Sequence, residues 1–326
     1  MKLGRRRFIH LAAGGAALSV TSRFAFAQAY PSRPARLIVP FAPGGPTDVC
    51  ARLIAQRLSD RLNNQFYVEN VPGAGGNIGV GQAARAAPDG YSLLFTVSSY
   101  IINPLLYNKV QYDAFESFDP VALLAFFASA LSVNPSLPAT TVKDLVTLIK
   151  ASPGKYSYAS PGTGTVAHLL GEHFRIALNL DLVHVPFGGG GPAITAVVAG
   201  HTPIGFAALS ATAPQVKDSR LRALAVMSQR RSESLPEVPT IAQAGYPDLG
   251  GEDWVGVLVP KGTSPEIIAL LQREIAAITA LSEVKERLSA LGFDPVGSTS
   301  AEFASQMRLG TERWRKVIRT ANIQLD

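Results

Sequence analysis

The stretch YASPGTGTVAHLL, residues 158–170, decides the fold class of this chain. Its first residues end an apolar run at 156–160 that is typical of a β-strand, and the residues from 165 onwards place apolar side chains at helical spacing. A glycine-rich turn, Pro-Gly-Thr-Gly, joins the two patterns. A strand that passes through a glycine turn into a helix is the repeating unit of α/β proteins, so this stretch predicts α/β layers.

The same alternation of strand and helix continues along most of the chain. Strand patterns occur at residues 35–41, 66–71, 91–98, 156–160, 182–186, 204–209, 221–227 and 254–259. Helix patterns occur at residues 47–62, 78–87, 265–280, 282–291 and 300–320, and further helices begin at Thr165 and Pro192. The 326 residues are enough for two domains, and the apolar stretch 121–133 is long enough to pass from one to the other. We therefore expect a two-domain α/β protein with mostly parallel sheets.

Composition and charge exclude several function classes. The chain is 47% apolar and 17% charged, which is typical of a globular protein. Its net charge of +6 comes mainly from residues 1–27, because the rest of the chain has 25 basic and 24 acidic residues and no basic run. We therefore expect no nucleic-acid partner. The single cysteine, Cys50, excludes a disulfide within the chain and a thiolate metal cluster, and it fits a buried helix position better than a nucleophile.

The first 27 residues have the pattern of an export signal. Arg5, Arg6 and Arg7 precede a short apolar stretch, and Ala25-Phe26-Ala27 provides a cleavage motif, so residues 1–27 are predicted to be removed. The arginines indicate twin-arginine export, with an ordinary secretory signal as the alternative. The apolar stretch is too short to span a bilayer and no later stretch is long enough, so we expect no stable membrane insertion.

Four glycine-rich turns are the candidate binding elements. They cover residues 43–48, 72–79, 160–165 and 186–192, and each connects the end of a predicted strand to the start of a predicted helix. Glycine leaves room for a ligand to approach the backbone, and the first turn of a helix carries unpaired N–H groups with a partial positive charge. Ligands of open α/β sheets bind at this edge. The sequence therefore predicts an anion site built from several of these turns.

Short polar side chains accompany the glycines at the same strand ends. They are Thr47, Asp48, Ser98, Ser99, Ser160, Thr163 and Thr165. Each has an alternative role as a helix cap or a turn residue. For Asp48 the cap is the better interpretation, because a bare carboxylate would repel an anion.

Enzymatic alternatives have weaker support. Residues 79–84 and 162–167 match a dinucleotide-binding glycine pattern, but the strand at 182–186 lacks the acidic residue that would hold a ribose. A Ser160–His168 pair is a second alternative, although packing or a single hydrogen bond is the better interpretation of His168. His168 and His173 are five residues apart, which is a poor spacing for joint metal ligation. We therefore expect no catalytic residue, no metal site and no cofactor.

Taken in order, these turns resemble the Bug family, the periplasmic solute receptors of tripartite tricarboxylate transporters. The markers are PFAPGGPTD at 40–48, PGAGG at 72–76, SPGTGT at 160–165 with His168-Leu169, HVPF at 184–187, LRALAV at 221–226, VPT at 238–240 and Glu302-Phe303. The resemblance implies a type II, venus-flytrap periplasmic binding protein with two lobes and a mixed, mostly parallel sheet in each. It implies lobe 1 at residues 28–128, lobe 2 at 129–222 and a return to lobe 1 at 223–326.

The resemblance also implies how such a protein works in the periplasm. A small carboxylate would lie in the cleft between the lobes, held by main-chain N–H groups and ordered water from residues 41–48 and 160–165. The closed receptor would then dock on two membrane transporter subunits. A sensory receptor on the same scaffold is an alternative, and an enzyme is a more distant one. The expected ligand-binding residues are Phe41, Gly44, Gly45, Thr47, Asp48, Ser98, Ser99, Ser160, Gly162, Thr163, Gly164, Thr165, His168, Phe187, Gly188 and Ala208.

Two positions depart from the family pattern. The fourth turn has Phe187 and Gly188 where the family usually has an aromatic hydroxyl and a lysine. The strand near residue 206 ends Phe206-Ala207-Ala208, where polar side chains are usual. Both changes remove polar contacts from the expected cleft wall. We therefore expect a partly apolar monocarboxylate or dicarboxylate, aromatic ones included, in preference to citrate.

Overall fold

The computed structural model describes residues 30–320 and residue 323. The predicted signal peptide, with its arginines and its cleavage motif, lies outside the described residues. The chain divides into a short unit of residues 1–32 and a large unit of residues 33–326, and the large unit holds the helices and strands of the described chain. Within that described part, none of the helices combines the length and the apolar character that crossing a membrane requires.

Strands and helices alternate from residue 35 to residue 133, and the hydrophobic pattern predicts each of them except the helix Ser99–Leu106. The elements are β1 (Ala35–Val39), α1 (Pro46–Leu62), β2 (Phe66–Asn70), α2 (Asn77–Ala84), β3 (Ser92–Val97), α3 (Ser99–Leu106) and β4 (Phe118–Val133). α1 begins with a proline, whose fixed φ suits the first helical position.

The alternation continues to the end of the chain. The next elements are α4 (Val142–Ala151), β5 (Tyr156–Ser160), α5 (Val166–Ala177), β6 (Leu182–Pro186), α6 (Gly190–Val198), β7 (Ile204–Ala208), α7 (Leu209–Lys217) and β8 (Arg222–Val226). The last are β9 (Glu252–Pro260), α8 (Pro265–Ala280), α9 (Ser282–Ala290), β10 (Phe293–Pro295) and α10 (Ser300–Thr320). β5, β6 and α8 have the bounds that the sequence predicts.

The strands form one mixed sheet in the order β2-β1-β3-β9-β4-β7-β5-β6, and β8 and β10 also pair with β4. The outer pairs β1–β2, β1–β3, β5–β6 and β5–β7 are parallel, as expected for strands joined by helices. The pairs around β4 and β9 are antiparallel. The α/β class and the mixed sheet are confirmed.

β4 belongs to both halves of this sheet, and it covers the apolar stretch predicted at 121–133. Its residues 118–128 pair with β9, and its residues 129–133 pair with β7. We call β1, β2, β3, β9, β10 and the first part of β4 the first half-sheet, and β5–β8 with the second part of β4 the second half-sheet. β8 still pairs with the second part of β4, so the chain returns to the first half-sheet at β9.

One buried apolar cluster extends through both half-sheets. It includes Leu123 and Leu131 from β4, Tyr158 from β5, Phe206 from β7 and Phe303 from α10. Because β4 is the shared strand, its side chains pack into the core on both sides of residue 129, and they hold the ends of the outer strands at fixed positions around it.

Candidate ligand-binding site

A cavity of about 50 Å³ lies among the strand ends and turns of the two half-sheets. We call it the central cavity, and it is lined by Phe41, Ala42, Gly45, Pro46, Thr47, Val97, Phe127, Ser129, Pro161, Thr165, Ala167, Gly189, Gly190, Ala208 and Asp253. The first and third predicted turns therefore meet here, together with the fourth.

Three helices begin at this cavity. α1 starts at Pro46, α5 at Val166 and α6 at Gly190, and residues of each first turn line the wall. The N–H groups of a first helical turn have no carbonyl partner within the helix, and the helix dipole adds a partial positive charge there. α1 and α6 also have no side-chain cap. Unpaired N–H groups of this kind are chemically suited to receive an anion.

The rest of the wall is largely apolar. Its apolar residues include Phe41, Val97, Phe127 and Pro161. Among the described residues that line the cavity there is no lysine, arginine or histidine. Apolar walls lower the local dielectric constant, so hydrogen bonds to an anion are stronger here than in water. The arrangement is therefore chemically suited to hold negative charge through main-chain dipoles.

The glycine amides of the third turn already have partners, one in the turn and one in the first turns of α5. Gly162 N donates to Ser160 Oγ (3.2 Å) and Gly164 N donates to His168 Nδ1 (3.2 Å). Thr165 caps α5, because its hydroxyl accepts from His168 N (3.3 Å) and donates to Gly162 O (2.7 Å). The N–H donors expected from this turn are therefore occupied. The N–H groups without a partner are those at the start of α5.

Ser160 bonds to a histidine other than the one considered from the sequence. Ser160 Oγ lies 2.7 Å from His184 Nε2, and the rings of His184 and His168 stack with centroids 4.2 Å apart. Burial lowers the pKa of His168 to about 4. Burial, reinforced by repulsion from His168, lowers the pKa of His184 to about 3. Both rings are neutral at pH 7, and such weak bases are poorly suited to activate a hydroxyl.

A second cavity of about 230 Å³ adjoins the first, and Phe41 and Pro161 line both. Its other lining residues are Pro40, Pro72, Gly73, Ala74, Gly75, Gly76, Tyr107, Gly162, Thr163, Pro186, Phe187 and Gly188. The turn after β2 touches the turn after β5 here, since a Cβ on Gly75 would lie only 2.2 Å from the carbonyl oxygen of Thr163. The two half-sheets are therefore in direct contact through their turns.

The predicted site residues divide into three groups. Phe41, Gly45, Thr47, Thr165 and Ala208 line the central cavity. Phe41, Gly162, Thr163, Phe187 and Gly188 line the second cavity. In the described part of the chain, the remaining predicted residues line neither cavity. They are Gly44, Asp48, Ser98, Ser99, Ser160, Gly164 and His168.

Asp48 lies in the first turn of α1, where it binds neighbouring groups and does not cap the helix N-terminus. Its Oδ2 accepts from Gly44 N (2.9 Å) and Arg52 Nε (3.0 Å), and its Oδ1 accepts from Asn70 Nδ2 (2.9 Å). Burial opposes ionisation, but the hydrogen bonds from Arg52, Gly44 and Asn70 hold the pKa of Asp48 below its usual value. The carboxylate is thus fully engaged away from the central cavity.

Asp253 is the main residue that the sequence did not indicate. It lines the central cavity, and its Oδ1 accepts from Ser98 N (2.9 Å) and Trp254 N (2.7 Å). Burial raises the pKa of Asp253 to about 6, although hydrogen bonding from Ser98 and Trp254 opposes the rise. It stands 155 residues from Ser98 along the chain, and the antiparallel pairing of Val97 with Val255 brings the two together. Local sequence carries no signal for that pairing.

Comparison with known proteins shows which family the chain resembles. Residues 50–323 match the family described as "Tripartite tricarboxylate transporter family receptor", TctC. The chain belongs to this family. The TctC family comprises solute receptors, so the resemblance to Bug proteins is confirmed. BugT of Bordetella pertussis is 35% identical over 319 residues, which cover 97% of this chain and 96% of BugT.

Solved structures of this type carry bound carboxylates. R. palustris Rpa4515, solved with adipate, is 32% identical with a TM-score of 0.88, and the match covers 90% of this chain and 99% of Rpa4515. MatC from Rhodopseudomonas palustris, solved with malate, is 29% identical with a TM-score of 0.85, and the match covers 89% of this chain and all of MatC.

Proposed function

We propose that this TctC-family chain is an extracytoplasmic receptor that captures a small carboxylate in the central cavity and delivers it to the membrane subunits of a tripartite transporter. The observation that carries the proposal is the meeting of the α1, α5 and α6 N-termini at a cavity without a cationic side chain among its lining residues in the described chain. The adipate and malate bound to the two R. palustris proteins support the carboxylate class.

The cavity also suggests how capture is coupled to a change of shape. α1 belongs to the first half-sheet, whereas α5 and α6 flank the second, so one bound carboxylate would be held from both sides. We take the half-sheets as the two lobes, joined by β4 and by the segment between β8 and β9. Because a bridging ligand favours the conformation in which the donors meet, binding would shift the lobes towards the closed state.

Closure would give the transporter a surface that exists only in the loaded receptor. We assign the chain to the periplasm, since its family comprises transporter receptors and residues 1–27 carry an export pattern. The partners would be a large and a small permease subunit.

The ligand would be a partly apolar carboxylate, which is the expectation from the sequence. Phe187 and Gly188 line the second cavity and Ala208 lines the central one, so these walls offer few polar side chains to a second or third carboxylate group. Citrate would leave charged groups against apolar surface, which is unfavourable.

The test is calorimetric binding of a carboxylate panel to the mature chain, each acid paired with its uncharged amide. We expect a monocarboxylate or dicarboxylate to bind, its amide to bind at least a hundredfold more weakly, and citrate not to bind. Binding of amide and acid with equal affinity would contradict the proposal.

A matched pair of glycine variants locates the site. A Cβ on Gly190 would lie 3.7 Å from Pro46 Cδ, so Gly190→Leu would occupy space beside the start of α1. Gly191 has nothing within 4 Å of its Cβ position and does not line the cavity, so Gly191→Leu is the control. We expect Gly190→Leu to lose binding and the control to keep it, with both folded by circular dichroism. Equal affinities in the two variants would place the ligand elsewhere.

A further inference from the structure

Asp253 places a carboxylate in a cavity whose other features favour the binding of an anion. The residue is only 6% exposed and lines the same wall as the first turns of α1, α5 and α6. Its Oδ1 accepts two main-chain N–H groups, from Ser98 and Trp254. The hydrogen bonds to this carboxylate come from Ser98 and Trp254, and no cationic side chain of the described residues pairs with it. A buried carboxylate that lines a cavity and has no cationic partner favours a ligand that brings a positive charge to it.

No charged neighbour within the described chain compensates this carboxylate. β4 faces it with Phe127, which pairs with Asp253, and with Ser129. The titratable groups of the adjoining elements are engaged elsewhere. Asp48 of α1 binds Arg52, His168 of α5 accepts from Gly164 N, and Glu252 of β9 interacts with Asp294 of β10 and with Arg230 and Arg313.

A ligand carboxylate and an ionised Asp253 would repel each other in this apolar cavity. The repulsion disappears if the ligand carries a cationic group close to its carboxylate. A single zwitterion would satisfy both parts of the wall, since its carboxylate would bind the helix N-termini and its ammonium group would donate to Asp253. Charge-assisted hydrogen bonds of this kind are the strong ones.

We propose that Asp253 is a specificity-determining residue that selects amino carboxylates over carboxylates without an amine. The inference rests on the proposed carboxylate site and narrows its ligand class. The Asp253 carboxylate accepts a hydrogen bond from the ligand's ammonium group, and the apolar wall of Phe41, Val97 and Phe127 contacts the ligand's carbon skeleton.

The test compares acids that differ only in the amine. The probes are phenylalanine with 3-phenylpropionate, leucine with 4-methylpentanoate, and glutamate with glutarate, titrated calorimetrically at pH 7 into the mature chain. We expect at least one amino acid to bind, and to bind at least tenfold more tightly than its partner. Asp253→Asn keeps the shape and the acceptor for Ser98 N, and it should weaken amino-acid binding about tenfold to a hundredfold. Glu252→Gln, next along β9 and outside the cavity wall, should leave the preference unchanged.

The pH dependence in the wild-type protein tests the idea without a variant. Burial raises the pKa of Asp253 to about 6, so the side chain gains a proton as the pH falls from 7 to 5. The α-carboxyl and α-amino groups of the probes keep their charges over that range. Amino-acid affinity should therefore fall severalfold or more from pH 7 to pH 5, while the affinity of a simple carboxylate should rise.

The possible results separate the inference about Asp253 from the proposed function as a carboxylate receptor. If 3-phenylpropionate, 4-methylpentanoate or glutarate binds as tightly as its amino partner at pH 7, the inference is wrong and the carboxylate receptor stands. If Asp253→Asn lowers only the melting temperature and the wild-type pH profile is flat, Asp253 is a structural cap and the inference is wrong. If no carboxylate of any kind binds, both proposals fail.

Discussion

His168 and His184 lie stacked behind the turn at residues 160–165, and both are held neutral by burial. In the unfolded chain a histidine takes up a proton near its ordinary pKa of 6.5, whereas folded His184 does so only near a pKa of about 3. Between pH 6.5 and pH 4 the unfolded state therefore binds more protons, and stability falls as the pH is lowered. Asp253 acts in the opposite sense, because its raised pKa favours the folded state as the pH falls through about 6.

A variant comparison isolates the histidine contribution. His184→Gln keeps a polar atom near Ser160 Oγ but does not titrate. Between pH 6.5 and pH 4 its free energy of unfolding should decline by about 2 kcal/mol less than that of the wild type, after allowance for the partial exposure of the ring. The measurement is urea unfolding at several pH values, with the exposed His201→Gln as control. An identical decline in both variants would show that His184 is not the titrating group.

Which donors face the ligand depends on side-chain details that the sequence does not display. The glycine turns lie at the sheet edge where the two cavities are found, yet Gly162 N and Gly164 N are used by Ser160 and His168. The free donors are one step further on, in the first helical turns, such as those of Thr47 and Ala167. Because a hydroxyl or an imidazole can turn to satisfy a nearby amide, spacing alone does not identify the free donors.

At the scale of elements, the start of α1 depends on the Asp48 carboxylate. Arg52 holds it with two contacts, at 2.9 and 3.0 Å, while Gly44 N and Asn70 donate to it from the turn and from the end of β2. A negative charge in the first turn also interacts favourably with the helix dipole. These contacts fix the turn at residues 43–48 against α1, and so they fix the first wall of the central cavity.

Asp48→Asn should destabilise the protein by about 1–2 kcal/mol, because the ion pair and the dipole interaction are lost while the shape is kept. For a chain of this size that is a fall of about 2–8 °C in melting temperature. Asp60→Asn in the last turn of the same helix is the control, and its effect should stay within about 0.5 kcal/mol. Differential scanning calorimetry measures both. If Asp60→Asn lowers the stability as much as Asp48→Asn does, the contacts of Asp48 make no specific contribution to the stability.

Most elements were predictable, and the exceptions have physical reasons. The strands and helices with clear periodicity, such as β5, β6 and α8, match the expected bounds. α3, α4, α7 and β10 were not predicted. α3 and α7 each contain an internal proline, Pro104 and Pro214, which normally argues against a helix. β10 has only three residues, too few for a periodic pattern, whereas α4 begins with a Thr141–Asp144 capping box that the sequence does display. The order of the strands could not be predicted from the sequence either. β9 lies between β3 and β4 in the sheet, although more than 100 residues of chain separate it from β4.

At the scale of the whole molecule, β4 and the turns decide how the two half-sheets can move. β4 is continuous through both, so it can serve as a hinge without breaking the core on either side. The contact of Gly75 with Thr163 and that of Gly164 with Asn103 join the two half-sheets, and opening would separate them. These contacts belong to the state in which the helix N-termini meet. The bound state would therefore be sensitive to the size of residue 75.

Gly75→Ala should weaken ligand binding at least tenfold more than its matched control does, because its methyl group would meet the Thr163 carbonyl when the lobes are closed. Gly44→Ala is the matched control. Both glycines have a positive φ, +64° and +82°, so both variants carry the same kind of backbone strain, but Gly44 has nothing within 4 Å of its Cβ position. Calorimetric affinity and small-angle scattering with and without the bound carboxylate measure the effect. If Gly75→Ala loses no more affinity than Gly44→Ala and still contracts on binding, the turn contact does not report closure, and the lobes must close about another surface.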